Sequence, residues 1–428
     1  MKNRIALFSA ALVALLGISP IRAQNSPRDF PGESPEKLGF SAEKLDHIKE
    51  VLKEETSKNV VPGAVILVVR HGKTALYDAE GLLDPGTKAA MTTDAIFRIY
   101  SMSKAITSVS AMMLVEQGKL HLDDPLDKYI PAFAHMKVIV QKPDPADPTK
   151  KITETVDATS QIKIQDLLRH TSGITYGFFG AGAGKKAYND AKILDGDYTN
   201  EEFAERIAKL PLSYQPGTTW DYSHSTDVLG RVVEIVSKKS LYEFEKEHLL
   251  KPLGMSDTSF YLTDKSKFPR MAEPYPTDRT IGVGAVVGDP RVVGKWESGG
   301  GGMLSTATDY AHFLNMMLHD GTVKGHQYLK ATTVEDMTSD HTQGITPGPY
   351  YLPGRNYGFG WGFAVRTKDD DPRDRGSIGE YNWNGVAGTN FWVDPKKDMF
   401  VVFMIQSPKQ RSHYMSTIRS LVYGALEN

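Results

Sequence analysis

Residues 102–117 contain neither glycine nor proline, and Ile106, Val109, Met112, Met113 and Leu114 recur along them at helical spacing. Only small or polar residues stand between those positions, and Gly118 follows as a natural stop. Charges are so sparse that the spacing predicts a central, buried helix around which the rest of the chain must pack. A short apolar entry, Phe97-Arg98-Ile99-Tyr100, leads into it through Ser101. Ser101 therefore stands at the helix N-terminus, where unpaired N–H groups and the macrodipole favour developing negative charge. Lys104 follows one turn later on the same face, with ~5–6 Å between the two Cβ atoms. A lysine on an apolar helix needs a reason, and activating the serine hydroxyl is one. The plainer alternative is an N-cap serine beside a lysine that reaches solvent.

The pattern S-x-x-K alone proves little, because it occurs four times in this chain. Ser34…Lys37 contains Pro35 in a polar stretch, and Ser41…Lys44 reads as a helix N-cap with a solvated lysine. Around Ser160…Lys163, Ile162 and Ile164 alternate with polar residues, a strand-like period. Ser101…Lys104 alone joins an apolar entry to a buried helix.

At the start, Met1-Lys2-Asn3-Arg4 is basic, residues 5–18 are almost uninterruptedly apolar, and Ala23 offers a small residue for cleavage. We read residues 1–23 as a signal peptide, which makes the mature chain an exported protein, periplasmic or secreted. The alternative is an uncleaved membrane anchor. No later apolar run is long enough to span a bilayer, so no membrane association is expected after cleavage. Cysteine is absent, which excludes disulfides, thiolate catalysis and Cys-based metal sites. A formal net charge of −2 points to no nucleic-acid partner. The glycine-rich residues 177–184 fail the spacing of a Walker A loop, and Lys186 stands where Ser or Thr is required, so they read as a flexible surface loop. No metal or cofactor is expected, and nothing here bears on oligomeric state.

Elsewhere the pattern gives an amphipathic helix over 40–57, then a β-hairpin from Ala64 to Tyr77 turning at His71-Gly72-Lys73. A surface hairpin is expected over 136–160, a short helix over 164–173, and helices over 201–209, 226–237, 308–319 and 407–426. Strands are expected within 357–365, 389–393 and 399–405. The expected fold is α+β: an antiparallel sheet flanked by helices (about 35–100 and 298–428) plus a mainly helical lobe (about 101–297). Residues 24–428 would make one catalytic domain, with the ligand in the cleft between lobes.

Several motifs follow one another in a telling order. After Ser101…Lys104 come Asp166-Leu167-Leu168-Arg169-His170-Thr171-Ser172-Gly173 and Pro216-Gly217-Thr218-Thr219-Trp220-Asp221-Tyr222-Ser223. A glycine-rich stretch then precedes Met303-Leu304-Ser305-Thr306, and Gly385-Val386-Ala387-Gly388-Thr389-Asn390-Phe391-Trp392-Val393-Asp394-Pro395 closes the series. This order resembles the serine β-lactamase/penicillin-recognising family, most of all class C β-lactamases and the related family VIII carboxylesterases. The resemblance covers most of residues 35–425. It implies Ser101 as nucleophile, Lys104 one turn on, and Tyr222 as the tyrosine of a Y-x-N element, here with His224 in place of asparagine. A literal Tyr198-Thr199-Asn200 is set aside because Asn200 opens a helix. His170 imitates the family's third motif, H-x-G, but ends a helix and is expected to be structural. The matching position is Trp383-Asn384-Gly385, near the W-G-G of related esterases, and Val386 would join Ser101 in the oxyanion hole. His224, Trp383, Asn384 and Gly385 would contact substrate.

The chemistry can be argued separately. No G-x-S-x-G elbow suggests a Ser-His-Asp hydrolase. Bringing Tyr or Lys near neutrality takes about three pKa units, roughly 4 kcal/mol. A tyrosinate beside cations and a desolvated lysine supply that cooperatively, so Ser101, Lys104 and Tyr222 could relay a proton as one unit, with either as the base. In relatives, the third-motif cation meets a substrate carboxylate. Trp383 and His224 make the pocket here neutral and aromatic, unless another Arg or Lys supplies the anchor. The expected function is hydrolysis of small esters through an acyl-enzyme. The alternatives are a β-lactamase, a D-amino-acid peptidase or amidase, or a non-catalytic cell-wall-binding protein on the same fold. The substrate in the first two cases is a small ester or amide.

Overall fold

The two ends of the chain meet in one antiparallel sheet, which the computed structural model resolves into eight strands. The structure describes residues 27, 29–281, 288–370 and 375–427, so the expected signal peptide lies outside the described residues. In chain order the strands are β1 (Gly63–Arg70), β2 (Lys73–Asp84), β3 (Ala89–Ala90), β4 (Tyr357–Phe359), β5 (Ala364–Arg366), β6 (Tyr381–Asn384), β7 (Asn390–Asp394) and β8 (Met399–Ile405). Across the sheet they run β4-β5-β6-β7-β8-β1-β2-β3. β8 thus joins the N-terminal hairpin to the C-terminal strands, pairing Val68 with Val401 on one side and Val401 with Trp392 on the other.

The central strands are continuous apolar runs because both their faces are covered. Val65, Leu67 and Val69 of β1 and Phe400, Val402 and Met404 of β8 enter the larger core. Facing them are α2 (Ser103–Glu116), α3 (Ser225–Ser237) and α4 (Ala307–Leu318), reached through Ile106, Val232 and Leu314 among others. The alternate residues Ile66, Val68, Val401 and Phe403 enter a second core. There Ile48 and Leu52 of α1 (Ala42–Ser57) meet Ile418 and Val422 of the C-terminal helix Arg411–Ala425. Each such side chain contributes roughly 1.5–3 kcal/mol by leaving water.

α2 is the buried element its composition demands: every residue from Ser103 to Leu114 is buried. On it, Thr107 Oγ1 donates to the Gly299 carbonyl at 3.1 Å. Gly118 ends the segment at φ +67°, where a residue with Cβ would be strained.

The hairpins, and most helices to within a few residues, fall where the pattern puts them. Three expectations are corrected. Ile162 and Ile164 are both buried, but their alternation is no strand: Ile164 opens a short helix, Ile164–Leu168, after a single bridge between Pro125 and Lys163. That helix stops well before Gly173, because His170 already takes φ +58° and ends the helical path. Residues 177–184 are no mere surface loop: Gly184 lies within a helix, Ala183–Asp190, and Lys185 is buried against Asp221 at 3.0 Å.

Candidate active site

Tyr100, the residue before the candidate nucleophile, adopts φ +44°. Such left-handed backbone costs a side-chain-bearing residue ~1–3 kcal/mol and persists only where its surroundings over-determine it. Here they do. Ser103 Oγ donates to the Tyr100 carbonyl at 2.6 Å and accepts from the Met303 N–H at 3.1 Å. The Ile99 N–H reaches the Met303 carbonyl at 3.0 Å. Tyr100–Met102 form a 3-10 turn and the α-helix begins at Ser103, so Ser101 sits in the tight turn feeding the helix.

Lys104 is 1% exposed, and its three ammonium hydrogens meet three acceptors. These are Ser101 Oγ at 3.2 Å, the Tyr176 hydroxyl at 3.0 Å and the Gly300 carbonyl at 2.5 Å. The Tyr222 ring also lies beneath it, with Nζ 4.6 Å from the ring centroid. The Tyr222 hydroxyl accepts from Trp383 Nε1 at 3.1 Å. Ser101, Lys104, Tyr222 and Trp383 are thus brought together, but the lysine's hydroxyl partner is Tyr176, which the sequence reading missed. Burial, with the nearby Asp227 and Tyr222, pushes the Tyr176 pKa well above the usual tyrosine value. At neutral pH it keeps its proton and can both accept from the lysine and donate.

Tyr176 arrives through a bend at Gly173, φ +81°, where a Cβ would stand 2.2 Å from the Tyr214 carbonyl. No spacing rule links a tyrosine after Thr171-Ser172-Gly173 to a helix so far upstream. The fixed bend was the one available signal.

Asp227, in the first turn of α3, ties the glycine-rich stretch to the lysine. Its Oδ1 accepts from Ser298 Oγ at 2.5 Å and from the Gly300 N–H at 3.0 Å. A Cβ on Gly300 would lie 2.7 Å from that carboxylate, so only glycine lets the two approach. Burial pushes the Asp227 pKa up, but His224, Lys104 and Ser298 outweigh it and hold the carboxyl ionised.

His224 is 1% exposed, and burial lowers its pKa despite the opposing pull of Asp227. Neutral, it places Nδ1–H on Asp227 Oδ2 at 2.9 Å, and its ring stands edge-on to Tyr176 with centroids 4.2 Å apart. It lines the cleft as a buried prop. His170 lies behind Tyr222, ring centroids 4.9 Å apart, and shares a hydrogen bond with Ser223 Oγ at 3.1 Å. Burial, then the Lys104 charge, drives its pKa well below the usual histidine value, in keeping with a structural part. Tyr198 stacks under Arg206, 4.4 Å from ring centroid to guanidinium, and Asn200 bonds Glu234; neither lines the cleft.

The cleft encloses ≈340 Å³, and Ser101, Trp383, Asn384 and Val386 all line it. Gly385 does not, which corrects its expected place among the substrate contacts. A Cβ there would meet Thr389 Oγ1 at 2.3 Å and the Ile99 carbonyl at 2.5 Å, so this glycine packs β6 onto the serine turn. Much of the remaining wall is aromatic, from Tyr176, Phe178, Phe179, Tyr261 and Trp296. Phe178 and Phe179 come from the stretch expected to be a surface loop.

The expectation of a neutral pocket is also corrected. Arg98 and Arg411 both line it. Arg98 is consumed internally, by Glu273 at 3.3 Å and the carbonyls of Gly288 and Ala272 at 2.9 and 3.1 Å. Arg411, the first residue of the C-terminal helix, spends Nε on Asn384 Oδ1 at 2.9 Å. It lies far from every motif in sequence, so only the folded chain reveals it.

Comparison with known proteins agrees with this arrangement. The Beta-lactamase family profile matches residues 47–422. Protein Rv1367c of Mycobacterium tuberculosis is 34% identical over 373 residues, 85% of this chain and 90% of that one. Esterase EstB of Burkholderia gladioli is 30% identical over 368 residues, 80% of this chain and 85% of that one. Among solved structures, EstCE1, described as a hydrolase with promiscuous acyltransferase activity, superposes with TM-score 0.74 at 26% identity, covering 89% of this chain and 99% of that one. The matched span, the sheet and the serine helix together make the chain a member of the Beta-lactamase family and a serine hydrolase.

Proposed function

We propose that this hydrolase is an exported carboxylesterase that works through an acyl-enzyme on Ser101. The observation that carries the reading is the contact of a buried, fully engaged Lys104 with Ser101 Oγ, at 3.2 Å, at the end of a cleft walled by aromatic rings. Similarity to an esterase from Burkholderia gladioli supports the ester as substrate.

In the first step the Lys104–Tyr222 pair stands one proton short of ammonium plus phenol, and Ser101 Oγ attacks the ester carbonyl while its proton passes to the unprotonated member. A positioned base of this type contributes ~10²–10⁴-fold. The carbonyl oxygen, now anionic, is taken by the N–H groups of Ser101 and Val386, each worth ~3 kcal/mol in comparable sites. The Val386 N–H has no hydrogen-bond partner among the described residues, so it is free for that role. The alcohol leaves with a proton from the same pair. Water then attacks the acyl carbonyl, the pair takes its proton, and the acid departs with Ser101 restored.

Tyr176 is a positioning residue in this scheme. Protonated and bonded to Nζ, it fixes the lysine against Ser101. The test is a paired assay with 4-nitrophenyl butyrate and a chromogenic cephalosporin. The proposal requires faster turnover of the ester, and preferential opening of the cephalosporin would replace it with a β-lactamase.

A further inference from the structure

Lys185 joins the segments that carry both tyrosines of the site. Its Nζ donates to Thr175 Oγ1 at 2.8 Å and lies 3.0 and 3.1 Å from the two carboxylate oxygens of Asp221. Thr175 Oγ1 in turn donates to Asp221 Oδ2 at 2.5 Å, which closes a triangle. All three side chains are buried. Thr175 directly precedes Tyr176, and Asp221 directly precedes Tyr222. The backbone N–H of neither tyrosine has a hydrogen-bond partner among the described residues. On the Tyr222 side the neighbouring main-chain bond is one residue back, from the Asp221 N–H to the His170 carbonyl at 2.9 Å. Where the two tyrosines stand is therefore set largely by the side chains of the residues before them.

A third segment is held by the same ammonium. Lys185 lies in the helix Ala183–Asp190, just after the stretch that brings Phe178 and Phe179 to the cleft. Asn189 of that helix closes the stretch by donating from Nδ2 to the Gly177 carbonyl at 2.8 Å. The rings meet as a group: Tyr176 and Tyr222 have centroids 5.2 Å apart, and Phe179 stands 5.8 and 5.7 Å from them. Lys104 works in the gap between the two tyrosines, on the hydroxyl of one and the ring of the other.

A buried ion pair adds little net stability, because dehydrating two charges costs about what their attraction returns. Apolar side chains of the same volume would fill this space as well, but they would not supply direction. An ammonium whose hydrogens meet a hydroxyl and a carboxylate fixes distances and angles among the segments it joins. We propose that Lys185 is a positioning residue: through Thr175 and Asp221 it sets the gap between Tyr176 and Tyr222 in which Lys104 activates Ser101. The inference rests on the reading of Ser101, Lys104 and Tyr222 as the reacting set. None of Lys185, Thr175 and Asp221 lines the cleft, so the effect passes through the tyrosines.

The test separates geometry from stability. Lys185→Met leaves the Asp221 charge buried without a partner and should lower both melting temperature and kcat. Lys185→Met combined with Asp221→Asn removes both charges and still gives Thr175 an acceptor, so its melting temperature should return close to that of the parent. Its kcat on 4-nitrophenyl butyrate should nonetheless stay about 10- to 100-fold low, the loss expected of a ~1 Å misplacement, with KM little changed. Labelling of Ser101 by a fluorophosphonate should slow by a similar factor. Tyr176→Phe added to that pair should have less effect than it has in the parent, since the bond it removes is already misplaced. Thr175→Val keeps the ion pair and gives a second measurement that does not depend on folding without the charges: kcat and labelling should fall by a few-fold up to about tenfold. Recovery of kcat in step with melting temperature in the neutral pair, a full multiplying effect of Tyr176→Phe, or an unchanged labelling rate in Thr175→Val overturns the proposal and makes the triangle structural alone. Labelling reads the triangle without any ester, so its outcome stands whichever substrate the unaltered protein prefers. Failure of the unaltered protein to take the label contradicts the assignment of Ser101 and removes both.

Discussion

Lys104 Nζ donates to the hydroxyl of Tyr176 at 3.0 Å, whereas the hydroxyl of Tyr222 is bonded by Trp383 at 3.1 Å. The two tyrosines that flank the lysine therefore have different duties. Tyr176 is kept protonated by burial and holds the lysine in place. Tyr222 offers its ring to Nζ at 4.6 Å, and its oxygen is oriented by the indole of Trp383.

Replacing the nucleophile is the simplest check. Ser101→Ala should abolish ester turnover and covalent labelling by a fluorophosphonate while the melting temperature stays near that of the parent. Labelling of the alanine variant at the parental rate would move the nucleophile elsewhere.

Unequal effects are expected from the tyrosines. Tyr222→Phe should lower kcat by about 10²–10⁴-fold, the range for losing a proton-transfer group. Tyr176→Phe removes one hydrogen bond to a charged amine, ~1.5–3 kcal/mol, so its loss should be smaller and fall on kcat rather than KM. Lys104→Ala combined with Tyr222→Phe should be little worse than either alone, since groups acting as a unit do not add. Multiplying losses in steady-state kinetics would contradict a shared relay, and a silent Tyr176→Phe would show that the lysine needs no such support.

Trp383→Phe keeps an aromatic wall but removes the N–H that reaches Tyr222. An ordinary hydrogen bond contributes ~0.5–1.5 kcal/mol, so kcat should fall by a few-fold up to about tenfold with little change in KM. A large rise in KM instead would mean that the indole serves substrate packing rather than Tyr222.

Asp309, in α4, gives a prediction about stability. Burial raises its pKa to about 6, against the partial relief of bonds from the Asp257 N–H and Thr258 Oγ1. Unfolded aspartate titrates near ~3.9, so the folded state binds the proton more tightly. The associated stability is full below the unfolded value and is lost as pH rises through 6. A shift of this size corresponds to about 3 kcal/mol between the two limits. Asp309→Asn should therefore flatten the decline in melting temperature between pH 4 and 7. An unchanged slope would assign that dependence to other groups.

The sequence carried the serine helix, the N-terminal hairpin and β8 because each states its burial locally, in apolar residues at one clear period. Ser101, Lys104 and Tyr222 stand in motifs, and the fold brings all three together around Lys104 Nζ. Tyr176 and Arg411 were not legible, because each acts through a partner on a distant segment, Lys104 and Asn384 respectively. The role of His224 also hid in a pairing: its local spacing to Asp227 is helical, but only burial shows that the imidazole is tied to that carboxylate. Phe178 and Phe179 were lost among glycines, whose abundance suggested a loop without saying which side of it faces a wall.

β8 has a temporal meaning. It is synthesised after both of its neighbours, and it sits between β1 and β7. Until it arrives, the strand turn holding Val386 has no register with the N-terminal hairpin, although Ser101 and Lys104 were synthesised long before. Such long-range pairing is slow to form. The nascent chain therefore carries its candidate nucleophile before the proposed oxyanion site is complete, and on this reading hydrolysis waits until β8 has been made and zipped into the sheet.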